Sequence, residues 1–179
     1  MPQQLLQSYA TPPDWERGNL LRRGCWLLLG KPLLACFLPG TAWRQQLLRL
    51  FGARVGRGGR IKPRFHLTSP WMLCIGDHCW LGEDVWIDNL DRVVLGDQVC
   101  VSQGAYFCTG NHDYRSAGFD LRLGAITVDD QAWIAAKAVL SPGTHVEACA
   151  VVGLGAVVSG VVPEGAIVRG NPAVVVGQR

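Results

Sequence analysis

The sequence is short of several things, and each shortage removes a class of protein. Its most hydrophobic run, Cys25 to Leu38, is fourteen residues with Lys31-Pro32 in the middle, below the roughly 20 that a membrane-crossing helix needs. The start, Met1 to Arg17, is polar and has no apolar core followed by a cleavage site, so no secretory signal is expected. Seven cysteines are present, an odd number, without a CxxC pair or zinc-finger spacing. A disulfide framework and a structural zinc site are therefore both disfavoured, and free thiols in a reducing cytoplasm are expected. Only 17% of residues are charged, which suits flat faces that partly become subunit contacts.

The charge that is present is unevenly placed. Residues 1–64 hold eleven Lys or Arg against two acids, a balance of +9, whereas residues 65–179 hold six against twelve, a balance of −6. A basic N-terminal module on an acidic body favours an anionic partner, whether membrane headgroups, a phosphorylated carrier or nucleic acid, with a solvated face as the plain alternative. No nucleic-acid-binding motif accompanies the charge, so no nucleic-acid partner is expected.

What is abundant is a beat of six. Val55-Gly56, Ile75-Gly76 and Leu95-Gly96 recur every twenty residues, with Ile61 and Leu67, Leu81 and Ile87, Val101 and Phe107 at +6 and +12. After an interruption the beat resumes at Val128, Ile134, Leu140, Val146, Val152 and Val158. Six fits neither a 3.6-residue helix nor a two-residue strand alternation. It fits a short strand plus a corner, three of which close a triangular coil. The fold class is therefore an all-β solenoid of about five coils, stacked at the spacing of neighbouring strands. Glycine at the corners is expected to supply positive φ.

Three regions follow. Residues 1–54 form a basic and apolar helical cap: Pro12-Pro13 breaks an irregular start, Asn19 caps a short helix through Leu29, and Thr41 caps another through Phe51. On that second helix Trp43, Leu47, Leu50 and Phe51 would face the core, with Arg44, Gln45, Gln46 and Arg49 turned away. The run 25–38 reads first as a helical hairpin packed on the prism, since apolar helices usually cover core, with a subunit contact or a monotopic membrane contact as the alternatives. Residues 55–165 are the solenoid, interrupted at 110–124 by the polar loop GNHDYRSAGFDLRLG. Residues 166–179 add a turn at Gly170-Asn171-Pro172 and a short apolar strand. A loop that leaves a repeat is the first place to look for a site.

The hexads, the loop opening Gly110-Asn111-His112-Asp113, Trp133-Ile134, Pro142-Gly143, Gly153 to Val158 and Gly170-Asn171-Pro172-Ala173 together resemble the hexapeptide-repeat acetyltransferases. The branch is that of galactoside, maltose and nodulation O-acetyltransferases. Trp43-Arg44, Gly52-Ala53 and Trp86 to Asn89 are similar to the colanic acid biosynthesis members in particular. The resemblance implies a left-handed parallel β-helix, a homotrimer, and acetyl-coenzyme A as acyl donor in a cleft between subunits. The implied activity is O-acetyl transfer to a saccharide, as in polysaccharide biosynthesis, in the cytoplasm or peripherally at the inner membrane.

That chemistry needs a base for the attacking hydroxyl, and His is the side chain suited to it. Of four histidines, His66, His78 and His145 lie within or at the ends of hexads. His112 lies in the loop and matches the family's catalytic residue. Asp88, by hexad phase, or Asn89, by chemical type, matches a family Asn that holds the acceptor. Asn111, Asp113, Tyr114 and Arg115 would shape the acceptor pocket. For the coenzyme, the resemblance points to Trp133, Ala135, Ala136, Leu154, Ser159, Asn171 and Pro172. Two positions depart from the pattern: Ala135 replaces a usual Gly, and Val174 replaces a common basic residue. The nucleotide phosphate then needs another cation, from Arg169, Arg179 or Lys137. No metal is required. The competing readings are a non-catalytic trimeric scaffold that binds glycan or membrane, and a metal hydrase like the gamma-class carbonic anhydrases. The latter needs three convergent imidazoles, for which the His spacing is poor.

Overall fold

The computed structural model describes residues 5–11, 15 and 18–179; Pro12-Pro13 lies outside these. The hexad aliphatics become three inward columns. Val55, Ile75, Leu95, Val128, Val146 and Val162 stand in register on the first face. Ile61, Leu81, Val101, Ile134, Val152 and Val168 do so on the second, and Leu67, Ile87, Phe107, Leu140 and Val158 on the third. All but Val55 are buried. Burying each such side chain is worth about 1.5–3 kcal/mol relative to exposure, so the columns are the core. The stack is a parallel β-solenoid of five complete coils plus a sixth that has only its first two faces.

The glycines beside the repeat aliphatics serve a different purpose from the one expected. Left-handed corners carry Arg64, His78, Asp84, Gln98, Gln131, Lys137 and Cys149 as well as glycine. Gly56, Gly76 and Gly96 are not in that conformation. They are needed because a Cβ at Gly76 or Gly96 would collide with Asp97 or Asp130 and with the backbone of the coil above. Those aspartates form a ladder: Asp77, Asp97 and Asp130 each accept the backbone N–H of Arg57, Asp77 and Asp97 in the coil below, at 2.7 Å.

Length varies at one edge only. Corners from first to second face run four residues until the last, and those from second to third always run four. From third to first face the connections are 68–72, 89–92, 109–125, 141–144 and 159–160. We refer to this as the variable edge.

The N-terminal helices pack on the first coil, where Trp26, Leu34 and Leu48 join the common core. Asn19 caps α1 (Leu20–Cys25), its side chain accepting from the Leu21 N–H at 2.8 Å. The helix does not stop at Leu29. A π-helical turn, Trp26–Gly30, carries it into α2 (Lys31–Leu34). Pro32 lacks an N–H to donate, and the wider turn accommodates that gap. In α3 (Ala42–Leu50) the expected face holds in part: Leu47 and Phe51 pack against the core, but Leu50 is 78% exposed while Leu48 and Arg44 are buried. Arg44 turns inward because it donates to the carbonyls of Cys36, Leu38 and Gly40 at 2.6–2.9 Å, tying the α2–α3 connection together. Burial lowers its pKa. Thr41 does not cap α3 with its side chain; the hydroxyl lies 3.3–3.4 Å from the Ile61 backbone instead.

At the other end, Ala166–Gly170 closes the second face. The chain then turns at Asn171-Pro172, and Ala173–Gln178 pairs back antiparallel. No helix among the described residues is long and apolar enough to cross a membrane.

Candidate active site

The loop at the variable edge is a β-hairpin. Gly110–His112 pairs antiparallel with Leu121–Leu123, and Asp113 knots its tip. The Asp113 carboxylate accepts the Arg115 N–H at 3.0 Å and pairs with Arg122. The Arg115 hydrogen bond and, after it, Arg122 hold its pKa below the usual carboxylate range. Asn111 accepts the His112 N–H at 2.7 Å. Tyr114 and Arg115 project from the exposed tip, the guanidinium 5.5 Å from the Tyr114 ring.

His112 is the ordered centre of this hairpin. Its Nδ1 lies 2.7 Å from the Phe119 carbonyl oxygen. A carbonyl can only accept, so Nδ1 carries the proton and, in the neutral ring, Nε2 keeps its lone pair. The Phe119 ring stacks on the imidazole at 4.2 Å and 5°. Tyr9, from the N-terminal segment, closes another side with ring centroids 5.9 Å apart. That segment follows the variable edge: the Leu5 N–H donates to Ala117, and Trp15 Nε1 donates to Leu90. Neither Phe119 nor Tyr9 is legible in the sequence as a partner of His112, since only the fold brings residue 9 beside residue 112.

Below the hairpin, Asp88 accepts the Thr68 hydroxyl at 2.8 Å and lies 3.4 Å from the Tyr106 hydroxyl. Burial, with Cys108 and Asp88 nearby, pushes the Tyr106 phenol up. Asn89 is fully buried, and its amide is spent on the Ser69 backbone N–H and carbonyl at 2.8 and 2.7 Å. Asn89 is therefore a corner staple, and Asp88 is the half-exposed group.

A second concavity, of about 510 Å³, opens along the edge between second and third faces. It gathers Trp133, Ala135, Ala136, Leu154 and Arg169, with Ser102 and Gly153. Trp133 is 46% exposed and steadied by an Nε1 bond to Ser102 at 2.9 Å. Ser159 lies instead on the variable edge, two coils above the hairpin, and Asn171-Pro172 at the terminal turn. Of the other candidate cations, Arg179 donates to the Gln131 carbonyl at 2.9 Å, and Lys137 occupies a left-handed corner. Among the described residues no three of His, Cys, Asp and Glu converge as a metal site; His145 is paired with Asp129 at 2.8 Å.

The chain is 34% identical over 176 residues to the Escherichia coli protein "Putative colanic acid biosynthesis acetyltransferase WcaF", covering 97% of this chain and 96% of that one. It is 32% identical to nodulation protein L of Rhizobium meliloti, covering 92% and 89%. The hexapeptide-repeat acetyltransferase VCA0836 of Vibrio cholerae, solved with acetyl-coenzyme A, superimposes with a TM-score of 0.78. It is 26% identical, over 88% of this chain and 85% of that one. No family model matches the sequence. The chain belongs to the hexapeptide-repeat acetyltransferases, an enzyme family.

Proposed function

We propose that the protein transfers the acetyl group of acetyl-coenzyme A to a saccharide hydroxyl, with His112 as general base. The observation that carries this is the Nδ1–Phe119 hydrogen bond, which leaves Nε2 as the acceptor for a hydroxyl proton. As the hydroxyl oxygen attacks the thioester carbonyl, its proton passes to Nε2. The imidazolium, steadied by the Phe119 carbonyl, then returns a proton to the departing thiolate. Asp88, with Asn111 and Tyr114, lines the acceptor side; Trp133, Ala135, Ala136 and Leu154 receive the pantetheine arm, and Arg169 is the cation for the nucleotide phosphate. The Vibrio cholerae enzyme, solved in complex with acetyl-coenzyme A, supports the donor. The names of the relatives support a sugar-related acceptor.

The hairpin and the coenzyme groove leave the prism from different edges, so one chain does not bring its own His112 to its own Trp133. A homotrimer in which the hairpin of one chain meets the groove of the next completes three sites. Complementation tests this. His112→Ala and a Trp133→Ala/Arg169→Ala double variant, each inactive, are unfolded together and refolded as mixed oligomers. Cyclic assembly predicts that about one site in four then has both intact parts and that activity returns. Thiol release from acetyl-coenzyme A across a panel of sugars reads the activity. Mixed oligomers as inactive as their parents would sink the shared site, and absence of turnover with any sugar would sink the acceptor class.

A further inference from the structure

The helical base buries a narrow stripe and leaves the rest of its apolar surface outside. Along α1, the π turn and α2, the buried positions Trp26, Gly30 and Leu34 are four residues apart. The π turn keeps them on one line. Leu20, Leu21, Leu27, Leu28, Leu29 and Leu33 are exposed, from 48% to 80%. Phe37, Leu38 and Leu50 extend this surface, and a groove of about 910 Å³ floored by Trp43 and Leu47 runs between α2 and α3. A contiguous apolar surface of this kind marks an interaction site rather than ordinary surface scatter.

The charges on the same module select the partner. From Arg17 to Gly76 there is no acidic residue, against eleven Lys or Arg. Arg23 and Lys31 sit on the leucine-bearing segment and, with Arg54 and Lys62, form no ion pair among the described residues. A second copy of this base would meet the first with cations on both sides and no acid to answer them. An anionic lipid surface answers both features, taking the leucines into the headgroup–acyl boundary and the cations at the phosphates. We propose that the helical base docks on the surface of an anionic bilayer, without crossing it. The prism then stands off the membrane on this base, an arrangement independent of the acetyl-transfer reading.

The test uses the full-length protein with phosphatidylglycerol–phosphatidylcholine vesicles in co-sedimentation. The native chain is expected to bind them and to bind pure phosphatidylcholine, or the mixed vesicles in high salt, about tenfold more weakly. Leu28→Glu/Leu29→Glu is expected to lose binding at least tenfold while its melting temperature and oligomer mass stay native. Should that variant fail a circular-dichroism check of folding, Arg23→Glu/Lys31→Glu carries the same expectation. No binding by the native chain, or equal binding by a folded variant, overturns the proposal. So does a fall in native oligomer mass on Leu28→Glu/Leu29→Glu, which would assign the surface to a second copy.

Discussion

The carbonyl oxygen of Phe119 decides which nitrogen of His112 holds the proton, and the Phe119 ring lies parallel against the same imidazole. One residue thus sets both tautomer and ring plane, through two parts of itself that mutation can separate.

Removing the imidazole with His112→Ala should lower kcat by about 10²–10⁴-fold while coenzyme affinity, measured by calorimetry, stays within error. Phe119→Ala keeps the carbonyl and loses the stacking ring, so its kcat should fall several-fold and by less than that of His112→Ala. A Phe119→Ala enzyme as slow as His112→Ala would mean that the ring matters as much as the base.

Arg169→Ala should weaken coenzyme A binding about tenfold, the loss of one charge-assisted contact. Loss of the 3′-phosphate should weaken native binding and leave the variant unchanged if that phosphate is the one contacted. An Arg169→Ala chain that binds coenzyme A normally transfers the role to Arg179 or Lys137.

Gly96→Ala places a Cβ against the Asp130 carboxylate and the Asp129–Asp130 backbone. Overpacking of this kind costs about 1–3 kcal/mol, so the melting temperature should drop by several degrees. Gly24→Ala is the control: nothing lies within 4 Å of its added Cβ, and it is helical. It should leave stability unchanged or slightly raised.

Acid should weaken the fold through particular carboxylates. The Arg64 hydrogen bond holds the Asp84 pKa down, and the Arg57 backbone N–H does so for Asp77. A carboxyl depressed in the fold contributes stability above its unfolded value, near 4, and that contribution is lost as pH falls through the folded value. Asp84→Asn should therefore melt below native at pH 7, with the gap closing towards pH 3. A gap constant across that range would remove Arg64–Asp84 from the pH dependence.

Arg44→Ala should destabilise by about 1–3 kcal/mol, because the carbonyls of Cys36, Leu38 and Gly40 lose a common donor and the buried side chain leaves a gap. Equilibrium urea unfolding checks this, and a cost below about 0.5 kcal/mol would make Arg44 a bystander.

The solenoid is legible because its signal is repeated: fifteen aliphatic or aromatic positions keep the beat and land in three columns, and a slip at any one would be visible against the others. The hairpin is legible through its departure from that beat, whereas the groove, on an edge whose corners never change length, is legible only through resemblance. Periodicity misplaces Arg44 because it assigns a charged residue outward, whereas three unpaired carbonyls draw it in. Corner glycines such as Gly58, Gly104 and Gly155 supply positive φ as expected, but the purpose of Gly56, Gly76 and Gly96 escapes a local reading, since close approach by the next coil leaves no trace in neighbouring sequence. Asn89 and Asp88, adjacent in the chain, are separated only by what Ser69 and Thr68 offer them.

The variable edge has a use for protein engineering. Two edges hold the corner length nearly constant, and the groove at Trp133 and Leu154 lies on one of them, away from the third. Segment 109–125 can then be exchanged as a cassette, with a relative's hairpin grafted at Thr109 and Ala125. The N-terminal strip that holds Tyr9 and Trp15 would have to travel with it. Under the proposed function, retuning what is acetylated becomes a matter of swapping two pieces along a single seam.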